Sequence, residues 1–85
     1  MPAKTTLHRI FCENAKIRRT TLGLTQEKAA ELMGVPQPQY ARMESGGTRI
    51  RIDGIEAVAH VLQTTAAKLL EPNAFKLAKK TSSTS

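Results

Sequence analysis

Glycines punctuate the middle of this chain at Gly23, Gly34 and Gly46-Gly47, and they leave room only for short helices between them. The intervening stretches are "LTQEKAAELM" and "VPQPQYARMES". A helix of two or three turns is marginal alone in water, so each must be held by packing against its neighbours. Thr25 is a good N-cap for the first, over about 26–33, and Glu27 sits in its first turn, where the helix dipole favours a negative charge. Ala29, Ala30, Leu32 and Met33 supply its apolar content. Gly34 stops it, Val35 points back inward, and Pro36 bends the chain. The second helix covers about 37–44. Pro38 falls in its first turn, where a missing N–H costs little, so it marks a start rather than a break.

The flanking segments extend the same pattern. Leu7, Ile10, Phe11, Ala15 and Leu22 recur at helical spacing and predict a first helix over about 7–21, ended by Gly23. Thr5 or Thr6 would cap it. Ile52, Ile55, Val58, Ala59 and Leu62 form a stripe for a helix over about 53–62, with Asp53 and Glu56 at capping-box spacing. Thr65 caps a last short helix over about 66–71, with Leu69 and Leu70 inward, and Glu71-Pro72 ends it. The alternation in "TRIRID" could suggest a strand, but a single such run has no partner. The fold expected is all-α, a compact bundle of five helices spanning 7–71. Residues 1–6 read as a flexible arm carrying Lys4, and 72–85 as a partly disordered tail rich in Ser and Thr.

With aromatics limited to Phe11, Tyr40 and Phe75, the core must be aliphatic. Thirteen Lys and Arg against seven Asp and Glu give a net charge of +6. A small basic domain points to a polyanionic partner; solubility alone is the plainer explanation. No long apolar run or basic amphipathic helix speaks for a membrane. Cys12 is the single cysteine, which excludes an internal disulfide and a cysteine zinc site. "MPAKTTLHRI" lacks the apolar segment of a secretory signal, so a reducing, cytoplasmic setting is expected.

The two glycine-bounded helices form a helix-turn-helix. Ala30 lets them approach, Gly34 permits the left-handed backbone of a sharp exit, and Val35, Tyr40 and Met43 fasten the second helix to the core. Gln37, Pro38, Gln39, Ala41 and Arg42 remain outward. This ordered set resembles the lambdoid phage repressor and Cro-like helix-turn-helix domains, the XRE family. The resemblance is carried by "GLTQ" at 23–26, Ala30, "GV" at 34–35, Gln37, "RMESG" at 42–46, Leu62, and Thr65 through Leu70. It covers about residues 10–70 and implies a lambda-repressor-like bundle that binds double-stranded DNA.

Site roles follow from that resemblance. Arg19 and Glu44 match an ion pair joining helix 1 to helix 3. Gln26 matches a phosphate ligand at a helix N-terminus, with the Thr25 backbone N–H beside it. Gln37 and Arg42 match base-reading positions, suited to adenine and guanine edges respectively. Pro38 and Ala41 would meet a thymine methyl, and Gln39 a phosphate or base edge. Ser45, Thr48, Arg49 and Arg51 match the loop that holds the DNA backbone. Departures from the family pattern are Pro36 for a capping Ser or Thr, Ala29 for Leu, Leu32 for a polar residue, Arg18 for an apolar one, Ile17 off the main stripe, and Gln63 for a common Gly.

The function expected is a transcriptional repressor binding a palindromic operator as a homodimer, through helix 5 and the tail with Ala66, Leu70 and Phe75. The alternative is an antitoxin that binds a toxin protein and its own promoter. A restriction–modification controller or a phage Cro would look much the same. Catalysis is not expected, since His8, His60 and Cys12 have no acid, base or nucleophile set around them, and neither a cofactor nor a metal is called for.

Overall fold

The computed structural model describes residues 6–75. The expected arm, apart from Thr6, the Thr5 cap, and the tail beyond Phe75 lie outside the described residues. Five helices follow in order: α1 (Thr6–Thr21), α2 (Gln26–Met33), α3 (Gln37–Ser45), α4 (Ile52–Val61) and α5 (Ala66–Leu69). Among the described residues there is no strand. The core is small and mostly aliphatic: Phe11 and Ala15 from α1, Ala29 and Ala30 from α2, Tyr40 and Met43 from α3, Val58 and Ala59 from α4, then Leu62 and Leu69.

Most of the helix ends are fixed by local bonds. Thr25 Oγ1 accepts from the Lys28 N–H at 3.0 Å, and Thr65 Oγ1 accepts from the Lys68 N–H at 3.1 Å. At the end of α2, Val35 N–H donates to Ala30 O and Gly34 N–H to Glu31 O, the paired bonds of a Schellman turn. Gly34 holds φ at +74°, which a side chain would resist even though the space around it is open. The same pair of bonds recurs after α1, α3 and α4, through Leu24 and Gly23, Gly47 and Gly46, and Thr64 and Gln63. Only the last has no glycine: Gln63 itself takes the left-handed conformation at φ +58°.

That departure is linked to another. Arg18 donates from Nε to Leu62 O at 2.9 Å and from Nη2 to Gln63 O at 3.0 Å, so it closes the C-terminus of α4 from α1. Its guanidinium also lies 5.6 Å from the centre of the Phe75 ring. Asn14 performs the corresponding task for α5. It is fully buried, and its Nδ2 donates to Leu69 O and Glu71 O, both at 2.8 Å. These carbonyls turn toward Asn14 where α5 ends at Leu69, two residues short of the predicted limit.

Three further expectations are corrected. The Asp53–Glu56 capping box does not form, because α4 starts one residue early. Arg51 is its N-cap, without a side-chain bond, and its carbonyl accepts from Ile55 N–H at 2.9 Å. Asp53 is left inside the first turn, where it still complements the dipole. Ile52 is not part of the buried stripe but 76% exposed, and Leu7 is 55% exposed. In both cases the first turn of the helix overhangs the edge of the core, which is anchored one turn later by Ile55 and Phe11. Gly54 matters here: a Cβ on it would come within 3.1 Å of Ile50 Cδ1, so glycine lets Ile50 fold back onto α4.

Candidate nucleic-acid interface

α3 presents two different faces. Tyr40, Met43 and Glu44 are buried, while Gln37, Pro38, Gln39 and Arg42 are exposed and Ala41 is half-buried at the margin. Pro36 serves as N-cap without a side-chain bond, and its carbonyl accepts from Gln39 N–H at 3.0 Å and Tyr40 N–H at 3.2 Å. The absent Ser or Thr hydroxyl therefore does not shift the start of the helix, which begins at Gln37.

The buried side of α3 is held by an ion pair. Arg19 donates from Nε to Glu44 Oε2 at 2.6 Å and from Nη2 to Oε1 at 3.2 Å. Arg19 Nη1 donates to Leu24 O at 2.7 Å, so the same guanidinium fixes the loop between α1 and α2. Gln26 Nε2 donates to Glu44 Oε1 at 3.0 Å, which ties the first turn of α2 to the last turn of α3. Burial by itself would push the Glu44 carboxyl up. The bonds from Arg19 and Gln26, with the Arg19 charge, outweigh it and hold the carboxyl below its usual value. The bond to Glu44 keeps Arg19 charged against the opposite pull of its own desolvation. Burial, with the Glu44 charge nearby, pushes the Tyr40 hydroxyl far above its usual range, so it stays neutral.

The other residues matched to DNA contacts surround this frame. Thr25 is exposed and its hydroxyl serves the α2 cap. Gln26 is half-buried, with its amide nitrogen donating inward to Glu44 and to no other group among the described residues. Ser45 is exposed and donates its hydroxyl to Arg42 O at 3.1 Å. Thr48, Arg49 and Arg51 are exposed on the loop between α3 and α4. The three residues expected at a dimer surface are each half-buried. Leu70 is half-buried beside Leu7 and Phe11, Phe75 packs against the core under Arg18, and Ala66 is half-buried on α5.

Gln26 as a link to the buried pair, Asn14 and Arg18 were not singled out for these contacts in the sequence. One signal was present: Arg18 and Gln63 both depart from the family pattern, and the structure joins them. Cys12 is half-buried and its thiol donates to Met43 O at 3.3 Å. Among the described residues no group of His, Cys, Asp and Glu is arranged to hold a metal ion, and no helix is long and apolar enough to cross a membrane.

Short helices, a glycine-turned joint and an exposed polar face on the second of the pair define a helix-turn-helix. A family model described as helix-turn-helix (HTH_3) matches residues 16–69, from within α1 to the last residue of α5. The chain belongs to this family, the XRE-type, Cro/C1-like helix-turn-helix proteins, a DNA-binding regulatory family that is not typically enzymatic. No curated protein and no solved structure matches the chain.

Proposed function

We propose that this chain is a cytoplasmic transcriptional repressor that binds a palindromic operator as a homodimer, with residues 7–71 as the DNA-binding unit and α3 in the major groove. The observation that carries this reading is the division of α3. Its polar side chains are open to solvent while an ion pair and two large apolar residues fix its back. Gln37 reads adenine and Arg42 reads guanine, each offering two hydrogen-bonding groups in one plane. Pro38 and Ala41 pack on thymine methyls, and Gln39 reaches a base edge or phosphate. Thr25 and Gln26 hold phosphate at the start of α2, Gln26 through its second amide hydrogen. Ser45, Thr48, Arg49 and Arg51 hold the backbone past the end of α3.

Selection of bound duplexes from a random pool tests this. The expected result is an enriched pair of inverted half-sites about one helical turn apart, roughly 34 Å. Enrichment of no sequence, or of a single unpaired site, would count against it. An antitoxin would use the same DNA face and add a toxin partner. Leu32, 52% exposed on α2, is an apolar contact such a partner could use. Complex formation with the product of a neighbouring toxin gene, abolished by L32D, would select that alternative.

A further inference from the structure

The apolar surface this domain leaves uncovered is concentrated in one place. Leu7, Ile50, Ile52, Ile55 and Leu70 line a groove of about 540 Å³, with Phe11 also in its wall. Two of the three large hydrophobic side chains exposed among the described residues, Leu7 and Ile52, stand on it, and the third is Leu32. The same patch thus carries protruding chains and a recess to receive them. A two-fold interface needs that combination, because one surface must serve as both partners.

We infer that a second copy of this chain docks over this groove, with Ile52 of each copy seated in the recess of the other. This rests on the homodimer reading and centres its interface on the junction of α1, the α3–α4 loop and α4, with Leu70 after α5 as its edge. Charge favours the same occupant. Along the chain, exposed Arg49 and Arg51 precede Ile52 and exposed Asp53 and Glu56 follow it. Antiparallel pairing of this segment about a two-fold axis at Ile52 sets the arginines of one copy against the carboxylates of the other, in a chain whose net charge of +6 otherwise repels its own kind. The chain beyond Phe75 reads "KLAKKTSSTS", with three lysines and only Leu77 and Ala78 apolar, a poor filling for an aliphatic recess beside Arg49. Arg49 both lines the groove and belongs to the loop after α3, so the docked pair joins the two basic loops into one surface.

Sedimentation of the full chain, alone and with duplexes carrying one or two half-sites, tests this with I52D, with L32D as the control outside the patch. Both residues are exposed, so thermal melts should match the wild type. The expected result is that I52D weakens self-association about tenfold or more and abolishes cooperative filling of the two-half-site duplex. I52N, which adds no charge beside Arg51, should weaken association likewise and leave binding to the single half-site unchanged, and L32D should associate as the wild type does. E56R should also weaken association, and R51E/E56R should recover it in the absence of DNA. A wild type that stays monomeric under every condition removes the homodimer and this interface together. A dimeric wild type that I52D does not disturb removes the interface alone and leaves the homodimer standing, as does equal disruption by L32D.

Discussion

Arg19 and Glu44 meet at two points, Nε to Oε2 at 2.6 Å and Nη2 to Oε1 at 3.2 Å, across 25 residues of sequence. Both are buried, and Gln26 and Leu24 O complete the set. Relative to a well-packed apolar pair such a contact contributes little, but losing one partner strands a charge. Glu44→Ala should lower the unfolding free energy by about 3 kcal/mol, read by urea or thermal denaturation. A melt equal to the wild type would deny that the pair fixes α3.

The same carboxyl sets an acid limit on stability. Its folded-state value lies below the ordinary 4.5, because the bonds it accepts outweigh its burial. The unfolded chain therefore takes up the proton more readily. The stabilisation is fully present above about pH 4.5 and is lost as pH falls through the lower folded value. Glu44→Gln keeps an acceptor without a titrating group. Its melting temperature should fall less steeply than the wild type's between about pH 5 and 3. Parallel profiles would contradict this.

Four helices end in the same turn, three with glycine and one with Gln63 in the left-handed region. A side chain there costs about 1–2 kcal/mol, partly offset because glycine loses more freedom on folding. Gln63→Gly should stabilise by roughly 0.5 kcal/mol and Gly34→Ala should destabilise by about 1 kcal/mol. Calorimetry of both variants decides it, and a destabilised Gln63→Gly would refute the strain.

Asn14 and Arg18 hold helix ends far away in sequence. Asn14→Ala leaves Leu69 O without its Asn14 donor and Glu71 O with the Ala74 N–H alone, and should cost about 2 kcal/mol. Hydrogen exchange should show the loss concentrated around α5. Uniform protection across the domain would argue against that local role.

On DNA, the exposed cations should separate by location. Arg42→Ala should relax preference at one base pair and cost about 1–3 kcal/mol at the preferred site. Arg49→Ala should weaken all sequences alike and reduce the salt slope by about one unit. Affinity measured over a salt series on specific and random duplexes distinguishes them. Unchanged base preference in Arg42→Ala would remove it from readout.

Local signals made most of the fold legible. Thr25 and Thr65 cap where their neighbours predict, and Gly23, Gly34 and Gly46 stop helices, because these effects act within about five residues. Resemblance made the Arg19–Glu44 pair legible, not spacing. What stayed hidden depends on distant partners. Asn14 reaches carbonyls more than 50 residues away, and no periodicity distinguishes a side chain that does so from an idle one. Ile52 fits the helical stripe by number, yet it lies on a turn beyond the core, and periodicity does not say where the core stops. In the candidate interface, the two-sided character of α3 was readable from Tyr40 and Met43. The inward bond of Gln26 was not, since a glutamine at a helix start carries no mark of which way its amide turns.

Prolines at 36 and 38 lack an amide hydrogen, and that of Gln39 is engaged with the Pro36 carbonyl, which leaves Gln37 to supply the tip of α3. The leading end of this helix is therefore nearly mute toward anions. Whatever it recognises, it must address with side chains and the flat flank of a pyrrolidine ring, leaving the grip on charged oxygen to the segments on either side.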